Sequence, residues 1–143
     1  MNRTDFNFFS QTPTRWGDAD MLGHINSVVY MRYIESGRLD YLERILGIDF
    51  KKPPGQGVIL ADIKISYLQQ VHHPANLEVA TRVSRIGNSS FDFTANIYCQ
   101  DGGAVIVKSK SVCVWFNYVD NCKQPVPDDA REAISTLEAI KPL

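Results

Sequence analysis

The spacing of apolar residues changes along this chain and separates one helical segment from several segments with the character of strands. Between residues 27 and 46, apolar side chains recur at steps of three and four residues, which places them on one face of a single long helix. The members of this face are Tyr30, Ile34, Gly37, Tyr41 and Ile45. Asn26 or Ser27 can cap the start of this helix, and Gly47 follows its end. Glu35 and Arg38 are three residues apart, so we expect them to pair on its flank.

The rest of the chain has the character of short strands. The runs cover residues 6–15, 62–67, 77–86, 91–99 and 104–116, and turn signals lie at 51–57, 87–90 and 101–103. Short connections between consecutive strands favour antiparallel pairing. A second, short helix is predicted from residue 128 to about 139, with Asp128 as its cap. The sequence therefore predicts one α+β domain over residues 1–143, with five antiparallel strands and one long helix.

Composition narrows the range of functions. The net charge of −1 gives no overall electrostatic case for nucleic acid or an anionic membrane. No segment reaches the roughly 20 apolar residues that would span a bilayer, and the N-terminus lacks a stretch typical of a signal peptide. Three widely spaced cysteines, Cys99, Cys113 and Cys122, fit reduced thiols better than a disulfide framework. We therefore expect a cytoplasmic protein without nucleic-acid or membrane partners.

The edges of the predicted sheet favour association with a second copy of the chain. An open sheet leaves two edges, and a long exposed edge favours pairing with another chain. We expect a homodimer, with a dimer of dimers as the larger alternative.

Side chains that could take part in catalysis lie close together in the loop before the long helix. Asp18, Asp20, His24 and Asn26 fall within nine residues of each other. A helix N-terminus offers free N–H groups and a positive partial charge, which would stabilise a developing oxyanion. A nearby carboxylate could attack a carbonyl or activate a water. Together these groups could cleave an acyl bond.

Two other interpretations of this loop remain open on spacing alone. Carboxylates before a helix commonly cap it or form turns. Asp18, Asp20 and His24 could also bind a metal, but a stable site would need a fourth ligand. His72 and His73 could offer one if the fold brought them there, although their position beside Pro74 favours a surface turn.

The loop also carries a family resemblance. It reads Arg15-Trp16-Gly17-Asp18-Ala19-Asp20-Met21-Leu22-Gly23-His24-Ile25-Asn26-Ser27-Val28-Val29-Tyr30, followed by Tyr33, Glu35 and Arg38. It resembles the 4-hydroxybenzoyl-CoA thioesterase-like family, and more narrowly its acyl-CoA thioesterase branch with the pattern Asp-x-x-Gly-His-Val-Asn-Asn. Similar segments continue over residues 63–68, 86–91 and 124–127. The resemblance implies a hotdog fold, in which the sheet wraps around the long helix, and active sites at a dimer interface with CoA along it.

Residue by residue, the resemblance implies that Asp20 is the catalytic carboxylate. Ser27 matches the position whose backbone N–H polarises the thioester carbonyl, and His24 and Asn26 match positions that shape the site. The chain departs from the family pattern at Ser27, where the motif has a second Asn, and at Gln70, where a Pro is common. A related branch with His at position 27 and Tyr at position 16 has a mechanism that should not be transferred here.

The predicted function is hydrolysis of an acyl-CoA or acyl-carrier thioester to free acid and thiol. We expect no cofactor and no required metal. The loop after the second long strand run is a candidate for contacts with CoA through its backbone, hydroxyls and one cation: Arg85, Gly87, Asn88, Ser89 and Ser90. Its alternative role is an ordinary hairpin turn. The alternative functions are an acyl-CoA binding or regulatory module without turnover and, less favoured, a hotdog dehydratase, which would need an Asn-Pro segment that this sequence lacks.

Overall fold

The computed structural model of the protein describes residues 1–51, 55–100 and 103–143. Within these ranges lie two α-helices and six strands. In chain order they are β1 (Phe9–Pro13), α1 (Ser27–Arg44), β2 (Gln56–Tyr67), β3 (Asn76–Ile86), β4 (Ser90–Cys99), β5 (Val105–Asn117), β6 (Cys122–Lys123) and α2 (Asp128–Leu137). No helix among these residues is both long enough and apolar enough to cross a membrane.

The strands form one antiparallel sheet in the order β1-β3-β4-β5-β2. The two-residue strand β6 pairs with β5 and adds a sixth member to the five that were expected. Strand β2 forms its backbone ladder with β5 alone, so within the described residues its other edge is unpaired.

Helix α1 packs against this sheet through the predicted face. Tyr30, Ile34, Gly37 and Tyr41 are all buried. At Gly37 the helix comes so near β3 that an added Cβ would lie 2.8 Å from Cγ1 of Val79. A curved antiparallel sheet around one long helix, with a short C-terminal helix beside it, is the hotdog fold, so the predicted fold class is confirmed.

The core runs along α1 in two clusters. Near the start of the helix, Tyr30, Tyr33 and Ile34 pack on side chains of β3, β4 and β5. Near its end, Tyr41 and Leu42 pack on β4, β5 and α2. Full burial of each such side chain is worth roughly 1.5–3 kcal/mol, so α1 is held over its whole length and its first turn is a firm support for a site.

Several sequence predictions differ from the structure. Strand β2 begins at Gln56, well before the predicted start at residue 62, and β1 is shorter than the predicted 6–15. The α2 N-cap is Pro127 rather than Asp128. Glu35 and Arg38 do not form the expected ion pair among the described residues. Residues 101–102 of one predicted turn and residues 52–54 of another lie outside the described residues.

Candidate active site

The loop before α1 folds back on itself and holds Asp20 at its tip. The N–H of Asp20 donates to the carbonyl of His24 at 2.8 Å, and the N–H of Asn26 donates to the carbonyl of Asp18 at 3.0 Å. Gly23 closes the turn with a φ of +79°, a conformation that glycine adopts without steric cost. The short length of this loop and its two backbone bonds fix where Asp20 stands relative to the helix.

The two carboxylates of the loop have different surroundings. One Asp20 oxygen, Oδ1, accepts the N–H groups of Leu22 at 2.9 Å and His24 at 3.2 Å. Its other oxygen, Oδ2, has no protein donor among the described residues, and the side chain is exposed. Asp20 is therefore anchored through one oxygen and can present the other to a substrate or a water.

Asp18, in contrast, is buried and fully engaged. Its Oδ2 accepts the hydroxyl of Tyr33 at 2.5 Å and the N–H of Arg15 at 3.0 Å. The Arg15 guanidinium approaches Oδ1 at 3.4 Å. Burial alone would raise the pKa of Asp18, but these donors outweigh it and hold the pKa below its usual value of 3.8. Burial, and then the bond to Asp18, raise the pKa of Tyr33. Asp18 thus ties the loop to α1.

Asn26 caps the helix and, with Ser27, forms its start. The side-chain oxygen of Asn26 accepts the N–H of Val28 at 3.1 Å, and the backbone carbonyl of Asn26 accepts the N–H of Val29 at 2.9 Å. The N–H of Ser27 has no acceptor among the described residues. The first turn therefore keeps a donor available at the positive end of the helix dipole.

Asp20 and the start of α1 line one cavity of about 430 Å³. Its other walls come from the loop, from α1 and from the end of β2, and the lining residues are Asp20, His24, Ile25, Asn26, Ser27, Tyr30, Tyr67, Gln69 and Gln70. Tyr67 donates its hydroxyl to the carbonyl of Ser27 at 3.1 Å and so joins β2 to the first turn. The structure therefore brings together the four residues predicted to be catalytic.

His72 is exposed next to a bend, as expected of a surface turn, and it also contacts the loop through His24. His24 and His72 form an isolated antiparallel bridge, and their Nε2 atoms are 3.1 Å apart. His73 contacts Thr14 instead, with 2.8 Å between its Nδ1 and the threonine hydroxyl. The alternative ligand set of Asp18, Asp20 and His24 is not assembled, since no three metal-binding side chains converge anywhere in the described part of the chain.

The predicted CoA loop lies elsewhere in the protomer. It follows the far end of β3, whereas the Asp20 loop pairs with the segment that precedes β3. Arg85 is occupied by Asp92 at 2.8 Å and by Ser90 at 3.0 Å. Arg131 donates to the carbonyls of Gly87 and Asn88. One protomer does not bring Arg85 and residues 87–90 to Asp20, and their role in substrate binding stays a prediction.

The model of the thioesterase-like superfamily matches residues 14–134. The chain belongs to this family.

The chain is also similar to individual proteins. It is 30% identical to the uncharacterized protein YsmA of Bacillus subtilis over 62% of this chain and 58% of that protein. It is 24% identical to the acyl-acyl carrier protein thioesterase ATL3 of Arabidopsis thaliana over 76% of this chain and 56% of that protein. These matches span less than two thirds of each relative's length. A Thermus thermophilus thioesterase solved with coenzyme A and Zn superimposes with a TM-score of 0.81, at 26% identity over 97% of this chain and 98% of that one.

Proposed function

We propose that this protein is an acyl-CoA thioesterase that uses Asp20 as nucleophile or general base and the start of α1 as oxyanion hole. One observation carries the proposal. The free Oδ2 of Asp20 and the uncommitted N–H of Ser27 belong to residues that line the same cavity. A carbonyl carbon held between such groups would meet a base on one side and an electrophilic donor on the other.

The chemistry follows from these two groups. The thioester oxygen accepts the Ser27 N–H, and the helix dipole stabilises the tetrahedral oxyanion, each such donor being worth on the order of 3 kcal/mol. In one route, Asp20 attacks the carbonyl, the thiolate leaves, and water hydrolyses the mixed anhydride. In the other route, Asp20 takes a proton from a water that attacks directly. Both routes give the free acid and the thiol.

His24 and Asn26 position these groups. Asn26 satisfies the N–H groups of Val28 and Val29, which leaves the donor of Ser27 for the substrate. His24 holds Oδ1 of Asp20 through its backbone N–H, and its ring is fixed against His72. These contacts preorganise the site at no cost during the reaction.

The thiol carrier is proposed to be coenzyme A. The Thermus thermophilus relative was solved with this molecule, whereas the Arabidopsis relative acts on acyl-acyl carrier protein. Free thiol released from acyl-CoAs and from acyl-carrier protein, each with short, long and aromatic acyl groups, distinguishes the two carriers. Binding without release from any of them would favour the alternative function, an acyl-CoA binding module.

A homodimer is proposed as the working form, in the cytoplasm. The free edge of β2 and exposed apolar side chains around the loop would both be covered by a second copy. The exposed side chains around the loop are Trp16, Met21, Leu22 and Val28, and the strand adds Ile59 and Leu60 within β2 and Leu68 directly after it. Light scattering at micromolar concentration should give at least twice the 16.1 kDa of one chain. A species of single-chain mass would contradict the assembly and leave the chemistry to be tested separately.

Asp20→Asn tests the chemistry. The change keeps the shape but removes the base and nucleophile, so kcat should fall by about 10²–10⁴ while KM changes little. Asp18→Asn is the matched control, because the same change at the engaged carboxylate should reduce turnover much less. If folded Asp20→Asn keeps near-normal kcat on the best substrate, the proposal is wrong and the likeness is one of fold alone.

A further inference from the structure

All three histidines of the chain lie near the loop that carries Asp20. His24 belongs to the loop itself, and His72 and His73 belong to the segment after β2. His73 contacts Thr14, whereas His72 meets the ring of His24. The Nε2 atoms of this pair are 3.1 Å apart, and the ring planes are inclined by 68°. Two imidazoles share a hydrogen bond in this way when one of the facing nitrogens carries a proton and the other does not.

The backbone fixes where the two rings meet. His24 and His72 form an isolated antiparallel bridge. On either side of this bridge, backbone hydrogen bonds of 2.8 Å and 3.0 Å join the loop to the segment after β2. The donors are the N–H groups of Ile25 and His73, and the acceptors are the carbonyls of Val71 and Gly23. The bridge therefore keeps the rings within reach of each other without further ordering of the main chain.

The same His24 holds Asp20 in place. The backbone N–H of His24 donates to Oδ1 of Asp20 at 3.2 Å, and its carbonyl accepts the N–H of Asp20 at 2.8 Å. His24 lines the cavity that contains Asp20, and His72 is not among the described residues that line it. A change at His72 should therefore reach the reaction through His24 rather than through contact with the substrate.

The bond between the rings depends on how many protons the pair carries. A first added proton keeps the bond, because an imidazolium can donate to the ring that is still neutral. A second added proton leaves two donors and no acceptor, and it places like charges on nitrogens 3.1 Å apart. The other titratable side chains around the pair line the cavities on the two sides of the loop, and they are Asp20, Tyr30, Tyr67 and His73. Carboxylates and phenols ordinarily ionise outside the range of about pH 5 to 8 in which histidines do.

We infer that His72 is a positioning residue for the hydrolysis: it steadies the ring of His24, and with it the loop that holds Asp20, until both rings are protonated. The inference rests on the proposed function, because it concerns the rate at which Asp20 reacts. The pair gives turnover a sensitivity to mild acid that carboxylate chemistry by itself does not supply.

Steady-state kinetics on one acyl-CoA between about pH 5 and 8 test this role. Wild-type kcat should fall about two- to tenfold toward the acid end, the factor that a typical hydrogen bond provides, with little change in KM. His72→Phe keeps a ring without nitrogen, so its kcat should already be lower by this factor at the neutral end and should not fall further. His72→Gln should restore kcat and lose the acid fall, since an amide can donate to a neutral His24 and accept from a protonated one.

His73→Gln is the matched control, because it makes the same change at the adjacent histidine, which contacts Thr14 instead. This variant should keep the acid fall of wild type. The inference would be overturned by an unchanged acid fall in His72→Gln, by its disappearance in His73→Gln, or by wild-type kcat in His72→Phe.

Nuclear magnetic resonance of the ring nitrogens gives a measurement that needs no turnover. His72→Phe should shift the ring signals of His24, and unchanged signals would refute the contact whether or not the protein hydrolyses thioesters. A shift accompanied by turnover that does not respond to His72 would refute the positioning role alone. If wild type hydrolyses no thioester, the proposed function fails and the role of His72 fails with it, even where the ring signals show the contact.

Discussion

The hydrogen bond from Tyr33 to Asp18 should be the strongest single tie between α1 and the loop that carries Asp20. Both side chains are buried, and the hydroxyl lies 2.5 Å from a carboxylate oxygen. Tyr33→Phe removes this donor without changing the ring. Hydrogen bonds to charged groups contribute about 1.5–3 kcal/mol, and a chain of this length loses roughly 2–4 °C in Tm per kcal/mol. The variant should therefore melt roughly 3–12 °C below wild type.

Tyr67→Phe is the matched control for Tyr33→Phe. It removes a hydroxyl that donates to a neutral carbonyl at 3.1 Å from a side chain that is 51% exposed. Water can replace this bond, so we expect a loss of at most about 0.5–1 kcal/mol. Thermal denaturation followed by circular dichroism compares the two variants. Equal shifts would refute the reasoning, since burial and the carboxylate charge would then add nothing.

The pH dependence gives a second measurement on the same bond. The pKa of Asp18 is lower in the folded chain than its ordinary value of 3.8, so its ionised form stabilises the fold. That stabilisation is fully present above the ordinary value and is lost as the pH falls through the lowered pKa. The stability difference between wild type and Tyr33→Phe should be constant above about pH 5 and narrow in more acidic solution. A difference that grows with acidity would contradict the assignment.

Two further variants test the packing of α1. Gly37→Ala would place a Cβ 2.8 Å from Val79, and overpacking of about 1–3 kcal/mol should outweigh the gain of up to about 1 kcal/mol in helix propensity. Chemical denaturation should show it to be less stable than Ser36→Ala, an exposed control on the same helix, and greater stability would contradict the close approach. Burial raises the pKa of Glu138, against the bonds from Tyr41 and Val83 and the charge of Arg82. Its contribution to stability is therefore greatest below the ordinary value of 4.5 and is lost as the pH rises through the raised pKa, and Glu138→Gln should flatten this dependence in urea denaturation between pH 4 and 7. An unchanged slope would exclude Glu138 as its source.

The fold could be predicted largely because its main signals are local. The face of α1 depends on spacing within one helix, and the strands on runs bounded by turn residues. The start of β2 was missed because Gly57 follows two prolines and was interpreted as part of a loop. In the structure this glycine gives room for Tyr118, whose Cε2 would lie 2.7 Å from an added Cβ. A contact over about sixty residues of chain leaves no local mark in the sequence.

The site was predicted in part for the same reason. Asp20, Asn26 and Ser27 lie in one short segment, where the motif and the helix start can be recognised together. The surface position of His72 was predicted from the nearby Pro74, but its contact with His24 was not, because that contact depends on how the segment after β2 crosses the loop. Arg38 was predicted to lie on the flank because its spacing of three residues from Glu35 suggests an ion pair on the helix surface. In the structure it lies on the inner face, four residues after Ile34.

The spacing of residues in the sequence could not show which of the two aspartates reacts and which one stabilises the fold. Asp18 and Asp20 are two residues apart in a turn, and either carboxylate could cap or react. The two carboxylates differ in the hydrogen-bond donors that reach them in the folded chain. Tyr33 and Arg15 engage Asp18 from α1 and from its own turn, so that carboxylate is held in place and stabilises the fold. Asp20 receives donors on one oxygen only, so its second oxygen can react without breaking a bond that the fold requires. Loss of the Asp18 carboxylate should therefore appear mainly in stability, and loss of the Asp20 carboxylate in turnover.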